Sequence, residues 1–543
     1  MFHHFLKLNV LKFLPSTTLP RKRPKQILNR PLAKYNLQPD QVAHLKSQGF
    51  LPKMDKRIRS TDANKSICPP NEMEITFLGT SAGKPTIQRN PSSLALRMDG
   101  QIWMFDCGEA TTHQIMRTNL KPSNVTKIFI THLHGDHVLG LISFLSHIGD
   151  RSDSDLASEN QHPFCDPASI VEIYGPSGIR EFVRSNLRLT QTHSSLKVKI
   201  NELLRRSKDD IYPPSLSNPS CRTGRLWHSE LLGKDIWSDE EGVWKEIIPE
   251  TECGVSVSAA PIKHTIPCIG YILTEVNRRE KFDMTKLNPI LEQHSNEIKG
   301  MGFKVLPAIL SQLEKSRKPI TFSTGVTISP PRLSIRGRRI MILGDTCNPR
   351  PMLSVIGNPN EYPIDLLIHE ATGTAVPDAP GMKEEAQSEV QVAKKMRERG
   401  HSTSYMAGQF AREVQARRLV LNHVGGKFPA PMGCICSSDS FPSSGYLPGT
   451  MVCGTGLKGN HAALWKTFEE MDEDRQSKIK EELKWLKKVE EDAHEGWKLA
   501  KIHSPSNGAL TKAELPMAPL LKVWISYDFM QIKIPRTDLQ RTN

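Results

Sequence analysis

From Asn71 onward, short apolar runs alternate with turn-forming residues, a pattern that predicts many short strands with helices between them. The first run, 74–78, is broken by Gly79-Thr80-Ser81-Ala82-Gly83. Runs 94–97 and 101–105 flank Asp99-Gly100, a strong signal for a tight hairpin. Run 127–130 leads directly into a cluster of histidines. Further strands are predicted at 170–174, 255–259, 339–343, 365–368, 419–421 and 523–534. A helix over 386–399 is closed by Gly400, and Ser402 or Thr403 caps a second helix that runs to about residue 415. Strands and helices interspersed in this way, with hairpins among them, predict a layered α/β protein with mixed sheets.

Three stretches break the pattern and read as insertions. Residues 208–252 are rich in Pro, Ser, Trp and charge, and 278–332 leave the core after Gly270-Tyr271 and re-enter before a strand. Residues 429–516 hold a loop and then a highly charged helix, 462 to about 493, whose alternating acids and bases predict a solvated or partner-facing surface. The expected organisation is a basic leader (1–70), a catalytic core (71–428), the 429–516 insertion, and final core strands with a tail (517–543).

Charge narrows the reading of partners. The formal net charge is +14, but the first 39 residues contribute +8 with no acid, and residues 40–70 contribute +3. Only +3 remains for the chain from Asn71, so RNA-binding charge in the globular part must be local. The leader is Arg/Lys-rich and opens with an apolar-basic stretch, which fits a mitochondrial or plastid transit peptide. A disordered basic tail or a nuclear-import patch at Arg21-Lys22-Arg23-Pro24-Lys25 also fits, leaving nucleus and cytoplasm open. No apolar run reaches the roughly 18 residues of a membrane span, so no integral membrane role is expected. Ten cysteines are too sparse for a disulfide scaffold, and Cys434, Cys436 and Cys453 read as free thiols.

The strongest chemical signal is His132-Leu133-His134-Gly135-Asp136-His137, at the end of an apolar strand. Four nitrogen and oxygen ligands within six residues suit zinc, and the absence of thiolate argues against a structural zinc finger. One loop cannot complete two metal shells. His264, Asp345 and His423 each follow a predicted strand, and strand ends converge in a layered fold, so these three are the candidates for the remaining ligands.

The loop, a distant His, a Gly-Asp and a final His, in that order, resemble the metallo-β-lactamase superfamily. Further motifs resemble its short-form tRNase Z family: Phe77-Leu78-Gly79-Thr80, Pro85-Thr86-Ile87-Gln88-Arg89-Asn90, Phe105-Asp106-Cys107-Gly108-Glu109, Ile173-Tyr174-Gly175-Pro176, His369-Glu370-Ala371-Thr372 and His401-Ser402-Thr403. The resemblance covers about 71–423 and resumes at 523–535. It implies an αββα sandwich with a protruding arm at 278–332, and two zinc ions per subunit. His132, His134 and His264 would hold one ion, Asp136, His137 and His423 the other, with Asp345 bridging and Asp106 orienting a ligating histidine.

By the same resemblance the reaction is removal of the 3′ trailer from precursor tRNA by a homodimer. Asp136 would take the proton of the attacking water, and His401, oriented by Glu370, would protonate the leaving oxygen. Arg89 and Asn90 would contact substrate. The chain departs from the family at Ile87, where Lys is usual, at Ala110-Thr111, at Leu306-Pro307-Ala308-Ile309-Leu310 in place of a Gly-Pro-rich arm, and at Val424-Gly425-Gly426-Lys427-Phe428. The metal ligands are untouched by these changes. The alternatives are another hydrolase of the superfamily, acting on a thioester or small phosphodiester, and an inactive metal-bound RNA-binding protein.

Overall fold

The computed structural model describes residues 69–149, 170–192, 196–206, 227–303, 306–374, 388–426, 428, 487–498, 522–526, 528 and 530–538. The leader, the three cysteines at 434–453 and most of 429–516 lie outside them.

The chain first builds one sheet from β1 (Met73–Gly79), β2 (Ser93–Met98), β3 (Gln101–Phe105), β4 (Val125–Phe129), β5 (Ile170–Pro176), β6 (Lys197–Leu204), β7 (Glu230–Leu231) and β8 (Asp235–Trp237). A second sheet begins with β9 (Trp244–Ile248), β10 (Val255–Ile262) and β11 (Cys268–Glu275). The arm contributes β12 (Arg278–Arg279), β13 (Ile320–Thr321), β14 (Thr327–Ile328) and β15 (Leu333–Arg336). The second sheet is then completed by β16 (Arg339–Ile342), β17 (Leu366–Glu370), β18 (Arg418–Asn422) and β19 (Lys522–Ile525). Finally β20 (Gln531–Lys533) pairs with β1, and β21 (Thr537–Asp538) pairs with β15.

The strand order is β20-β1-β2-β3-β4-β5-β6-β7 in the first sheet, with β8 also on β6, and β19-β18-β17-β16-β11-β10-β9 in the second. Both sheets are mixed. β1 to β3 pair antiparallel, β2 and β3 through the tight hairpin at Asp99, whose φ is 49°, whereas β3 to β6 run parallel. In the second sheet β9 to β11 are antiparallel and β16 to β19 parallel.

Burial on both faces explains the near-continuous apolar strands. In β3, Trp103 and Phe105 join Tyr271, Ile342 and Val420 between the two sheets, while Ile102 and Met104 join Leu141, Phe144 and Val183 on the other face. A third core, with Leu367, Leu419, Phe410 and Ala493, covers the outer face of the second sheet. Helix, sheet, sheet and helix are therefore stacked in four layers. Among the described residues, no helix is long and apolar enough to cross a membrane.

Local capping places the helices near the site. Helix Glu389–Glu398 starts on a capping box between Ser388 and Gln391, and Gly400 follows it with φ 79°. Helix Ser404–Glu413 is capped by Thr403, whose side chain accepts from Met406 N.

Two expectations change. The run 523–534 is two strands in different sheets, because the chain turns at Ser526 and Asp528 to serve a loop beside the site. The charged helix is not simply solvated where it is described. Residues 487–498 are helical, and Val489 and Ala493 are buried in the core over the second sheet. Its charge alternation hides a one-sided apolar stripe. The arm, too, is folded: helices Met284–Gln293, Ser295–Gly300 and Leu306–Ser316 enclose Leu291, Ile298, Ile309, Leu313, Phe322 and Ile328.

Candidate metal centre

Strand ends supply every predicted ligand. The loop after β4 carries His132, His134, Asp136 and His137; His264 follows β10, Asp345 follows β16, and His423 follows β18. His423 sits at φ 49°, a left-handed turn that imidazole-bearing residues tolerate better than most. The structure brings all seven together, in a group of His132, His134, His264 and Asp345 and a group of Asp136, His137 and His423.

In the first group His134 Nδ1 lies 3.1 Å from both His132 Nε2 and His264 Nε2. In the second, His423 Nε2 lies 3.2 Å from both His137 Nε2 and Asp136 Oδ2. Asp345 stands between them, with Oδ2 3.7 Å from His132 Nε2 and 3.4 Å from His423 Nε2, and Oδ1 3.4 Å from His137 Nε2.

The outer faces of the imidazoles decide what these close approaches mean. Asp106 Oδ2 accepts from His137 Nδ1 at 2.7 Å and from Thr131 Oγ1 at 2.9 Å, while Asp106 Oδ1 accepts from Thr131 N at 2.7 Å. With its proton given to Asp106, Thr131 Oγ1 accepts from His132 Nδ1 at 3.0 Å. His264 Nδ1 donates to the Gly400 carbonyl at 2.7 Å. His423 Nδ1 donates to Thr372 Oγ1 at 3.0 Å, and that hydroxyl donates to Glu370 Oε2 at 2.6 Å. In the neutral form, each of these four rings is thereby left with an Nε2 lone pair pointing inward.

Lone pairs facing one another 3.1–3.2 Å apart repel unless a cation lies between them. Nitrogens on a tetrahedral zinc, each about 2.0–2.1 Å from it, are themselves about 3.3 Å apart. Buried Asp345 Oδ1 has no hydrogen-bond partner, as expected of a metal-facing oxygen. The donors present fit zinc.

His401 borders this cage without being a natural ligand. It comes within ligand reach of Asp345 and His423, with Nδ1 3.8 Å from Asp345 Oδ2, but that nitrogen lies 3.2 Å from both Glu370 oxygens and donates there, so it has no lone pair to offer a metal. Burial works against a charged His401, but the hydrogen bond and charge of Glu370 outweigh it and hold the pKa above the ordinary histidine value. Glu370 Oε1 also accepts from Thr346 N at 2.6 Å, so the carboxylate is fixed from three sides. His369 points away, buried against Phe410.

Arg89 and Asn90 do not take the places expected of substrate contacts. Arg89 is only 1% exposed, and its guanidinium donates to Thr80 Oγ1, Ser526 O and Phe428 O. Asn90 N and Nδ2 donate to Asp528 Oδ2. Both are consumed in anchoring the opening loop, whose Gly83 N donates to Asp136 Oδ2 at 2.9 Å. Thr372, Thr131, Asp528 and the Gly400 carbonyl carry roles that the sequence reading missed. Thr372 lay inside a quoted motif, whereas no local signal marks Asp528.

The geometry can be set beside known proteins. A family model described as Anti-Pycsar protein Apyc1 matches residues 73–148, which span the first four strands and the histidine loop. Zinc phosphodiesterase ELAC protein 1 of Bos taurus is 33% identical over 368 residues, covering 66% of this chain and 87% of its own. Ribonuclease Z of Lactococcus lactis subsp. cremoris is 31% identical over 366 residues, covering 66% of this chain and 91% of its own. The crystal structure of human tRNase Z, short form (ELAC1), is 29% identical with a TM-score of 0.40, covering 66% of this chain and 94% of that one. Relatives about one third identical along nearly their whole length accompany a complete seven-ligand cage, and the chain belongs to the tRNase Z family of metallo-β-lactamase-fold hydrolases.

Proposed function

We propose that this chain is a zinc-dependent endoribonuclease that removes the 3′ trailer from precursor tRNA and leaves a 3′-hydroxyl on the tRNA. Relatives named ribonuclease Z support the substrate class. One observation carries the chemistry: the seven candidate ligands adjoin a histidine, His401, whose Nδ1 is engaged by both oxygens of Glu370.

The two ligand groups support two zinc ions per subunit, and zinc bound there would supply Lewis acidity. Asp136, fixed by Gly83 N, accepts the proton of the attacking water as the water oxygen bonds to the scissile phosphorus. The bond from phosphorus to the tRNA 3′-oxygen breaks, and the phosphate stays on the trailer. His401, with Nδ1 engaged by Glu370, presents its Nε2 proton to the departing oxygen.

Local charge is available beside the centre. A cavity of about 340 Å³ is lined by Lys263, next to His264, by Asn348, Arg350 and Arg397, and by Ser402, next to His401. Arg350 is held by Glu413, which leaves Lys263 and Arg397 as exposed cations for the RNA backbone. The arm carries ten basic residues against five acidic ones, and we assign it to holding tRNA within a homodimer. Sedimentation showing only monomers in the presence of precursor would remove the dimer from this reading. We assign the leader to organelle import, which a leader-deleted fluorescent fusion with unchanged distribution would refute.

Incubating the zinc-loaded protein with a precursor carrying a 3′ trailer tests the function. Two products are expected, a tRNA ending in a 3′-hydroxyl and a trailer beginning with a 5′-phosphate. Protein that hydrolyses a small phosphodiester but leaves the precursor intact would point instead to another hydrolase of the superfamily.

A further inference from the structure

Residues 487–498 fall in the stretch that the sequence pattern sets apart as an insertion, yet they lie against the segments that carry Glu370 and His401. We propose that this helix is a clamp for the general acid, with Asp492 as a positioning residue that sets the Glu370–His401 geometry; the inference rests on the nuclease reading given above.

Two chain segments frame the acid. Glu370 leads into Gly373 and Thr374, and His401 leads into Thr403 and Ser404. They are joined by a bridge between Gly373 and Thr403, by Gly373 N donating to Ser402 O at 3.3 Å, and by Ser404 N donating to Gly373 O at 3.1 Å. Such a short ladder at the end of a sheet is open to fraying. Asp492 closes it. Its Oδ2 accepts from Thr374 Oγ1 at 3.2 Å and from Ser404 Oγ, one hydroxyl on each segment, and both residues are buried. Hydrogen bonds to a carboxylate are stronger than neutral ones, and in a water-poor site they resist exchange.

The helix is seated closely enough to hold that carboxylate still. A Cβ on Gly408 would lie 1.8 Å from Ala493 O, and one on Gly496 would lie 2.0 Å from Tyr405 O, so the two glycines permit backbone-to-backbone contact. Val489 and Ala493 enter the core, Trp497 packs beside them, and the Arg412 guanidinium stands 4.6 Å from the Trp497 ring centroid. At the other edge, Glu490 Oε1 accepts from Ile525 N in β19.

Leaving-group dependence separates positioning of the acid from general scaffolding. Departure of a ribose 3′-oxygen needs the proton of His401, whereas p-nitrophenolate leaves unaided. Full-length Asp492→Ala, loaded with zinc, is expected to lose roughly 10- to 10²-fold in kcat on precursor tRNA, with KM and metal content unchanged. Hydrolysis of bis(p-nitrophenyl) phosphate should stay within about 3-fold of wild type, well short of what general-acid loss costs. Asp492→Asn, which keeps one acceptor oxygen for the two hydroxyls, should recover most of the loss. Gly496→Ala, which wedges the helix from Tyr405 without touching a catalytic group, should reproduce the same selectivity. Equal losses on both substrates, loss of zinc, or no loss on precursor in Asp492→Ala or Gly496→Ala would overturn the clamp. Wild-type protein active on the small diester and inactive on precursor would instead overturn the nuclease reading, and the clamp with it.

Discussion

Asp106→Asn should weaken metal binding in both ligand groups at once, although Asp106 touches no metal. Its two oxygens receive three hydrogen bonds: Thr131 N on Oδ1, and Thr131 Oγ1 and His137 Nδ1 on Oδ2. The backbone N–H cannot turn away, so the amide oxygen of the substituted side chain would stay on it and the NH₂ would face His137 and the Thr131 hydroxyl. His137 would then have to move its proton to Nε2, the atom that faces His423, and surrender its inward lone pair. Thr131, turned to accept from the amide, would point its own proton at His132 Nδ1 and push that ring the same way. Loss of such an orienting partner costs about 10–100-fold in metal affinity. At free zinc well above both dissociation constants, that loss removes about 1.4–2.7 kcal/mol of metal-linked stability per site. Competition against a chromophoric chelator reads the two affinities, and thermal unfolding at fixed zinc reads the linked stability. Thr131→Val is the contrast, since it breaks only the relay to His132 and should weaken one site alone. Wild-type affinity at both sites in Asp106→Asn, or weakening confined to one, would refute the shared-support argument.

His401→Ala should retain wild-type zinc content and slow precursor cleavage by roughly 10²–10⁴-fold, as measured by elemental analysis and single-turnover kinetics; loss of metal would reassign the residue. In Gly400→Ala the added Cβ would meet His264 Nδ1 at 2.7 Å in a backbone held at φ 79°, so zinc affinity at the first group should fall by about tenfold or more, read by chelator competition. Lys263→Glu combined with Arg397→Glu should raise KM for precursor and flatten the salt dependence of binding by about two counterions, with bis(p-nitrophenyl) phosphate hydrolysis intact. An unchanged salt slope would remove the cavity from the RNA path.

Some of this protein could be read along the chain because its determinants are local. The ligand loop declares itself, since His132, His134, Asp136 and His137 lie within six residues at the end of one strand. Strands buried on both faces appear as apolar runs, and caps such as Thr403 and Gly400 act within a single turn. His264, Asp345 and His423 were legible as residues that follow strands, and the family resemblance supplied their grouping and the partnership of Glu370 with His401.

Tertiary structure decided everything that depends on a partner remote in sequence. The family resemblance made Arg89 a substrate contact, but folding placed Thr80, Ser526 and Phe428 around it. Asp528 has no signature of its own and acts only because the chain returns, more than four hundred residues later, to the opening loop. The apolar face of residues 487–498 is masked by alternating charge, and only a neighbour with a glycine at the contact point reveals which side is buried. Gly400 shows both levels in one residue: its helix-ending role is set by its own φ, while its carbonyl orients His264 only because β10 ends beside it. Backbone preference is written residue by residue, whereas a hydrogen-bond partner is specified only when the fold brings it within about 3 Å.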